Sequence, residues 1–279
     1  MFNGVLYLTD KAIQKDPKNF NGYYFAACFA YSDLGRERGL LAGESATADP
    51  HRHRRERVLR LLQQGLENHD SHGLTWLGTS VVHLDLGNFQ ESLWCAEQAI
   101  GVQAASQDDV TAVAEGFIGE LMRRKGDYDA ARSRCLSSIK AFDDSDHFYG
   151  DTYRAMTLCT LGKTALQQGD LAAARSAFKQ AILHIRGRNR ARAIGHPFVH
   201  ALCGLAQTDH DVEAFREADS AFRNRAGFNF AWFWHCCDDA TLLSLSQGAA
   251  AVGEIELARK LHAEAIDCGS TEAPDVQIP

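Results

Sequence analysis

The chain has 279 residues, about two ordinary domain lengths, and its 45% hydrophobic and 23% charged content is that of a globular protein, which excludes wholesale disorder and a collagen-like chain. Its 29 basic and 36 acidic residues leave a formal charge of −7, so the chain has no global attraction to phosphates and a nucleic-acid partner is disfavoured. No apolar run approaches the roughly 18 to 20 residues of a membrane span, and Met1 to Asp10 lacks the basic start and apolar core of a secretory signal, so a cytoplasmic protein without membrane contact is expected.

In chain order, Ala12-Ile13-Gln14-Lys15-Asp16-Pro17 closes a first helix, and the aromatic and small residues of Tyr23 to Gly35 form the next. A stretch rich in Gly, Ala, Ser and Thr follows, read as an insertion over 36–52, and then a helix from about His53 to Glu67 with Val58, Leu59, Leu61, Leu62 and Leu66 on its buried side. His51-Arg52-His53-Arg54-Arg55-Glu56-Arg57 is read as a solvated basic face or an acidic-partner contact, as is the run Arg186 to Arg192, which is read as a loop able to grip an acidic peptide.

Four later segments repeat one pattern. Gly87-Asn88-Phe89, Gly126-Asp127-Tyr128, Gly169-Asp170-Leu171 and Gly253-Glu254-Ile255 each open an alanine-bearing amphipathic helix. The glycine suits a left-handed helix end, the acidic or amide residue favours a new N-terminus, and the alanines permit close helix approach. The glycines lie 39, 43 and 84 positions apart, and the last gap holds two units with a degenerate turn near Asp209-His210-Asp211. The tail after Ile266, bearing Pro274 and Pro279, is expected to be loose.

At these residues the chain resembles the tetratricopeptide repeat (TPR) family, in which an Asp-Pro pair ends a second helix and Gly-Asp-Tyr or Gly-Asp-Leu followed by alanines marks the turn into one. The units exceed the family's usual length of about 34. That length, together with Ala193-Ile194-Gly195-His196-Pro197, is similar to the C-terminal superhelical repeats of maltose-activator-type bacterial regulators. The resemblance implies an all-α, right-handed superhelical solenoid of about six antiparallel helix hairpins, one solenoid over 1–267 with a tail at 268–279. It also implies a non-enzymatic scaffold or regulatory adaptor whose concave groove binds a protein or peptide.

The repeat phase places Phe25, Phe29, Glu120, Arg123, Lys163, Gln167 and His200 on that groove, with Arg123 and Lys163 positioned to hold a carboxylate and the phenylalanines to take an apolar side chain. Trp232 and Trp234, within the aromatic run Phe228 to Trp234, are candidate anchors for a partner or for a homodimer through the last hairpin.

The alternative is an enzyme or a small-molecule or metal sensor with a pocket lined by His200, Trp234, His235 and Asp239. His196 and His200 at i and i+4 share one helical face, a spacing that suits a metal, but two ligands do not make a site. Glu115, Glu120, His147 and Asp151 are the remaining acid–base candidates on first helices, and none forms a diagnostic motif. Leu161-Gly162-Lys163-Thr164 resembles the end of a phosphate-binding loop, but Thr157 stands where the first glycine is needed, so Gly162 is read as a packing glycine and no cofactor is expected. Cys28, Cys95, Cys135, Cys159, Cys203, Cys236, Cys237 and Cys268 are read as reduced thiols at small core positions.

Overall fold

The computed structural model describes residue 9 and residues 11–31, 50–102, 108–143, 150–188, 196–223, 238–273 and 276–278. Among these the regular structure is entirely helical, and it falls into two compact units. The first contains α1 (Phe20–Tyr31), α2 (Pro50–Asn68), α3 (Gly73–Asp85) and α4 (Phe89–Gly101). The second contains α5 (Asp108–Lys125), α6 (Tyr128–Asp143), α7 (Gly150–Gln167), α8 (Leu171–Arg188), α9 (His196–Asp209), α10 (Val212–Arg223), α11 (Asp238–Ala251) and α12 (Ile255–Asp267).

In the first unit α1 packs on α2, α2 on α3 and α3 on α4. The core between α1, α2 and α3 is built from Ala27, Cys28, Ala30, Val58, Leu62 and Val82, with Leu59 and Leu61 packed against it, as the apolar spacing predicts. Helix α2 opens at Pro50, three residues before the expected start, because a proline needs no amide partner in a first helical turn. The basic run is not uniformly solvated: Arg52 is exposed and pairs with Glu56, but Arg55 is buried with its Nε 3.9 Å from Asp85, which also accepts the Tyr31 hydroxyl. Residues 32–49, which hold most of the expected insertion, lie outside the described residues.

The second unit is four antiparallel hairpins, α5–α6, α7–α8, α9–α10 and α11–α12. Their first helices form a row, α5 on α7, α7 on α9 and α9 on α11. The expected turn glycines Gly87, Gly126, Gly169 and Gly253 all have φ between 77° and 87°. Each closes its helix with the same pair of bonds; at Gly169 the amide reaches the Leu166 carbonyl and the next amide, of Asp170, reaches that of Ala165. Asp127 and Asp170 then cap the following helices by accepting the amides of Ala130 and Ala173.

The degenerate turn solves the same problem without glycine. His210 takes the left-handed conformation at φ 52°, and its Nδ1 is 2.7 Å from the Ala251 carbonyl oxygen of the next hairpin.

Packing in this unit depends on one ring held between two glycines. Phe178 of α8 is 1% exposed, and a Cβ placed on Gly162 of α7 or Gly204 of α9 would lie 2.6 or 2.4 Å from that ring. Gly162 is therefore a contact glycine, as the repeat phase predicts, and it brings two helices within reach of one aromatic side chain.

The tail differs from expectation. Gly269, at φ 83°, ends α12 like the other turn glycines, and Ala273 is then fully buried with its carbonyl oxygen 2.8 Å from His262 Nε2. Val276 and Ile278 pack against the core of the second unit. Gly269 stops the helix, and apolar burial holds the chain that follows it.

Candidate functional site

The most unusual chemistry in the second unit lies where the C-terminal ends of α5 and α7 meet the tail. Glu120, Arg123 and Arg124 project from the last turns of α5 at i, i+3 and i+4, the spacing that puts three side chains on one helical face. Glu120 is fully buried and receives Arg123 Nε at 2.9 Å, Arg123 Nη2 at 2.7 Å and Arg124 Nε at 2.9 Å. A further donor comes from α7, the Thr160 hydroxyl at 3.1 Å.

Arg123 reaches in two more directions. Its Nη1 donates to Gln167 Oε1 on α7 at 3.2 Å, and its Nη2 donates to Glu272 Oε1 of the tail at 2.8 Å. The second Glu272 oxygen lies 3.6 Å from Arg124 Nη2, so this one carboxylate bridges two guanidinium groups. The Arg123 side chain is 2% exposed and that of Glu272 is 23% exposed.

Lys163, one turn before the end of α7, belongs to the same charge cluster. Burial lowers its pKa, and the charges of Glu120 and Glu272 oppose that shift. Burial likewise disfavours the charge of Arg123, and Glu120 and Glu272 more than compensate. Burial alone would raise the Glu272 carboxyl, but Arg123 and Arg124 hold it at about 2. The cluster thus contains three cations and two carboxylates, with only one carboxylate supplied by the helices.

The sequence-predicted residues divide among several surroundings. Glu120, Arg123 and Gln167 come together, but Glu120 and Arg123 are buried and mutually bonded, whereas the repeat phase expects them on an open groove. His200 is 1% exposed with Nδ1 2.6 Å from the Ser244 hydroxyl and 3.5 Å from Lys163 Nζ. His196 Nδ1 is 2.7 Å from the Thr241 hydroxyl, so both histidines on α9 are engaged with hydroxyls on α11. Asp239 is buried near the start of α11.

Phe25 belongs to the first unit and is 49% exposed. Trp232, Trp234, His235 and His147 lie outside the described residues, and so does the Phe29 side chain. Glu115 is paired with Arg134 at 2.8 Å, and Asp151 lies 3.6 Å from His184, which gives both carboxylates structural partners. Among the described residues no group of three His, Cys, Asp or Glu side chains is arranged to hold a metal ion.

Arg124, Thr160 and Glu272 are functional candidates absent from the sequence reading. The Glu-x-x-Arg-Arg spacing at 120 to 124 was a usable local signal for Arg124. Nothing local marks Glu272, whose partner Arg123 lies 149 positions away.

Residues 109–182, which hold the α5–α8 hairpins and this cluster apart from the tail, match the tetratricopeptide repeat family model. The chain is similar to one in the crystal structure of the APC/C hetero-tetramer Cut9–Hcn1, with a TM-score of 0.63 and 13% identity. That match covers 99% of this chain and 45% of the other, so this chain spans less than half the length of that relative. It is also similar to the chain in a functional characterisation of Pseudomonas aeruginosa pilF, at a TM-score of 0.45 and 18% identity over 92% of this chain and 97% of that one. No curated protein matches the chain. The left-handed glycine turns, the row of first helices and the Cut9–Hcn1 likeness identify a TPR-like, all-α fold of antiparallel helix hairpins, within which residues 109–182 match tetratricopeptide repeats.

Proposed function

We propose that the chain is a peptide-binding scaffold and that its recognition site is the face of the second unit where α5 and α7 present Arg123, Arg124, Lys163 and Gln167. One observation carries this reading: two guanidinium groups of α5 hold a single carboxylate that the helices do not supply, and Arg123 is bonded at once to Glu120 of α5, to Gln167 of α7 and to Glu272 of the tail. Hairpin stacks of this kind offer an extended surface suited to a peptide or helix, and positive groups held in place by packing give such a surface a chemical preference.

In this reading the ligand is acidic, and the protein works in the cytoplasm as an adaptor in a regulatory or assembly system. The longer repeat unit is what supports kinship with the maltose-activator-type repeats. The Cut9–Hcn1 likeness supports the hairpin architecture, and the partner of that assembly is not transferred to this chain.

The test is binding of fluorescein-labelled acidic and basic peptides to the full chain, in wild type and in Lys163→Glu and Gln167→Glu variants. Preference for acidic peptides, weakened at least fivefold by either variant, is the expected result. Equal binding of both peptide classes, or variants that bind acidic peptides as wild type does, would refute the site.

A further inference from the structure

Resting on the peptide-binding reading above, we infer that the cluster of Arg123, Arg124 and Lys163 accepts a glutamate-bearing peptide segment, and that the chain's own C-terminal segment fills it through Glu272, so that an incoming segment binds by exchange with the tail.

The two carboxylates of the cluster differ in origin. Glu120 is anchored in α5 and fully buried, and Arg123, Arg124 and Thr160, which donate to it, belong to α5 and α7. Glu272 lies outside every helix, in a segment that follows α12 and reaches back to α5 of the unit's first hairpin. Without Glu272, three cations would face one carboxylate, and Arg123 at 2% exposure has little water to replace the lost partner. The site therefore demands a second carboxylate whether or not the tail provides it.

The tail is held by contacts that can be exchanged. Glu272 is partly exposed, Thr271 and Gln277 are exposed, and Val276 and Ile278 are only partly buried against the core. The residue after the glutamate is fixed more tightly: Ala273 is fully buried, its amide donates to Ser270 Oγ at 3.1 Å, and its carbonyl oxygen lies 2.8 Å from His262 Nε2. The contacts thus specify a ligand pattern, a glutamate followed at once by a small residue, with apolar residues four and six positions after the glutamate. The carboxylate is a side-chain group, since Arg123 and Arg124 meet Glu272 Oε1 and Oε2.

The probe is a labelled synthetic peptide with the sequence of residues 269–279 and an amidated C-terminus, titrated into the full chain by fluorescence anisotropy. A tethered segment competes at an effective concentration on the order of millimolar, so wild type should bind the probe weakly, and Glu272→Gln, with a weakened competitor, at least tenfold more tightly. A probe carrying Gln at its glutamate should lose that gain. In unmodified wild type, saturating probe should speed amide exchange over residues 270–278 at least tenfold, a readout that needs no variant to fold.

Equal affinity of wild type and Glu272→Gln, with tail exchange unchanged by bound probe, would overturn tail occupancy while leaving an acidic-peptide site elsewhere on the unit. Failure of both proteins to bind the probe at millimolar concentration would overturn the inferred ligand pattern, and with the other acidic peptides also unbound it would overturn the peptide-binding reading as well. Binding that requires a free C-terminal carboxylate would overturn the side-chain assignment.

Discussion

Replacing Arg123 with methionine keeps most of the buried stem and removes the charge, and the consequences can be worked from its contacts. The guanidinium makes two bonds to Glu120, one to Gln167 and one to Glu272. Breaking a buried ion pair by deleting one partner costs about 3 to 5 kcal/mol, because the other charge stays behind without its compensation. Glu120 keeps Arg124 at 2.9 Å and Thr160 at 3.1 Å, so the lower end, about 3 kcal/mol, is expected. At about 2 to 4 °C per kcal/mol, the melting temperature should fall by roughly 6 to 12 °C. Replacing Glu120 by leucine in the same chain removes the stranded carboxylate, and the double variant should lose only about 1 kcal/mol, a coupling of at least 2 kcal/mol between the two sites. Urea denaturation of wild type, both single variants and the double variant measures this cycle. A loss below about 1 kcal/mol for Arg123→Met, or single losses that simply add, would refute the account of a mutually dependent buried pair. One practical result is that charge reversal at Arg123 tests folding as much as binding, which makes Lys163 and Gln167 the better probes of ligand capture.

Acid should act through Glu272. Its carboxyl is held at about 2 against an ordinary 4.5, a depressed value, so its contribution is complete above about pH 4.5 and is lost as the pH falls toward 2. That contribution is worth about 3 kcal/mol, and Glu272→Gln should flatten the acid limb of the stability profile, whereas superimposable acid limbs would exclude the linkage. Thiol reactivity should follow burial: desolvation pushes Cys159 up to about 12 and raises Cys135 too, while Cys268 is partly exposed, so a maleimide at neutral pH should modify Cys268 before Cys135 or Cys159 when sites are mapped by peptide mass spectrometry. Modification of the three at equal rates would contradict the packing described. Gly204→Ala places a Cβ 2.4 Å from the Phe178 ring and should cost about 1 to 3 kcal/mol, with Phe178→Leu in the same chain recovering part of the loss; no recovery would mean that the strain lies elsewhere.

The hairpins were legible because their chemistry is local. A glycine followed by Asp, Asn or Glu states both how one helix ends and how the next begins, and Gly87, Gly126, Gly169 and Gly253 all adopt the left-handed turn that the pattern requires. The turn at His210 was visible only as a gap in the spacing, because there a side-chain contact with Ala251 takes the place of a glycine. The role of Gly162 in packing was legible from repeat phase, but its partner was not: Phe178 also touches Gly204 in the next hairpin, and no sequence interval announces that. The site was half legible. The i, i+3 relation of Glu120 and Arg123 can be read directly, whereas their burial depends on what α7 and the tail lay over them. Glu272 was illegible because Pro274, two residues on, is a local signal for a loose end, and the contacts that hold the tail are distant in the chain.

The energetics of the cluster bear on why it is there. A first helix such as α7 packs against α5, α6, α8 and α9, and this crowding leaves it few exposed positions, so Thr157 and Thr164 are buried by donating their hydroxyls to carbonyls one turn back, and Thr160 by donating its hydroxyl to Glu120 of α5. Charged groups in such surroundings lose more hydration than threonines do, and a buried ionic network replaced wholesale by apolar side chains of similar volume is often no less stable. Breaking one member is costly, but assembling the whole set yields little stability. Stability alone therefore does not explain two arginines and a lysine gathered where α5 and α7 end, when leucine or methionine would fill the same space. The proposed recognition role would, since cations held at one fixed carboxylate leave a defined demand for a second. The tail meets that demand with a glutamate on a partly exposed segment, which is the arrangement expected of a site whose occupant is meant to change.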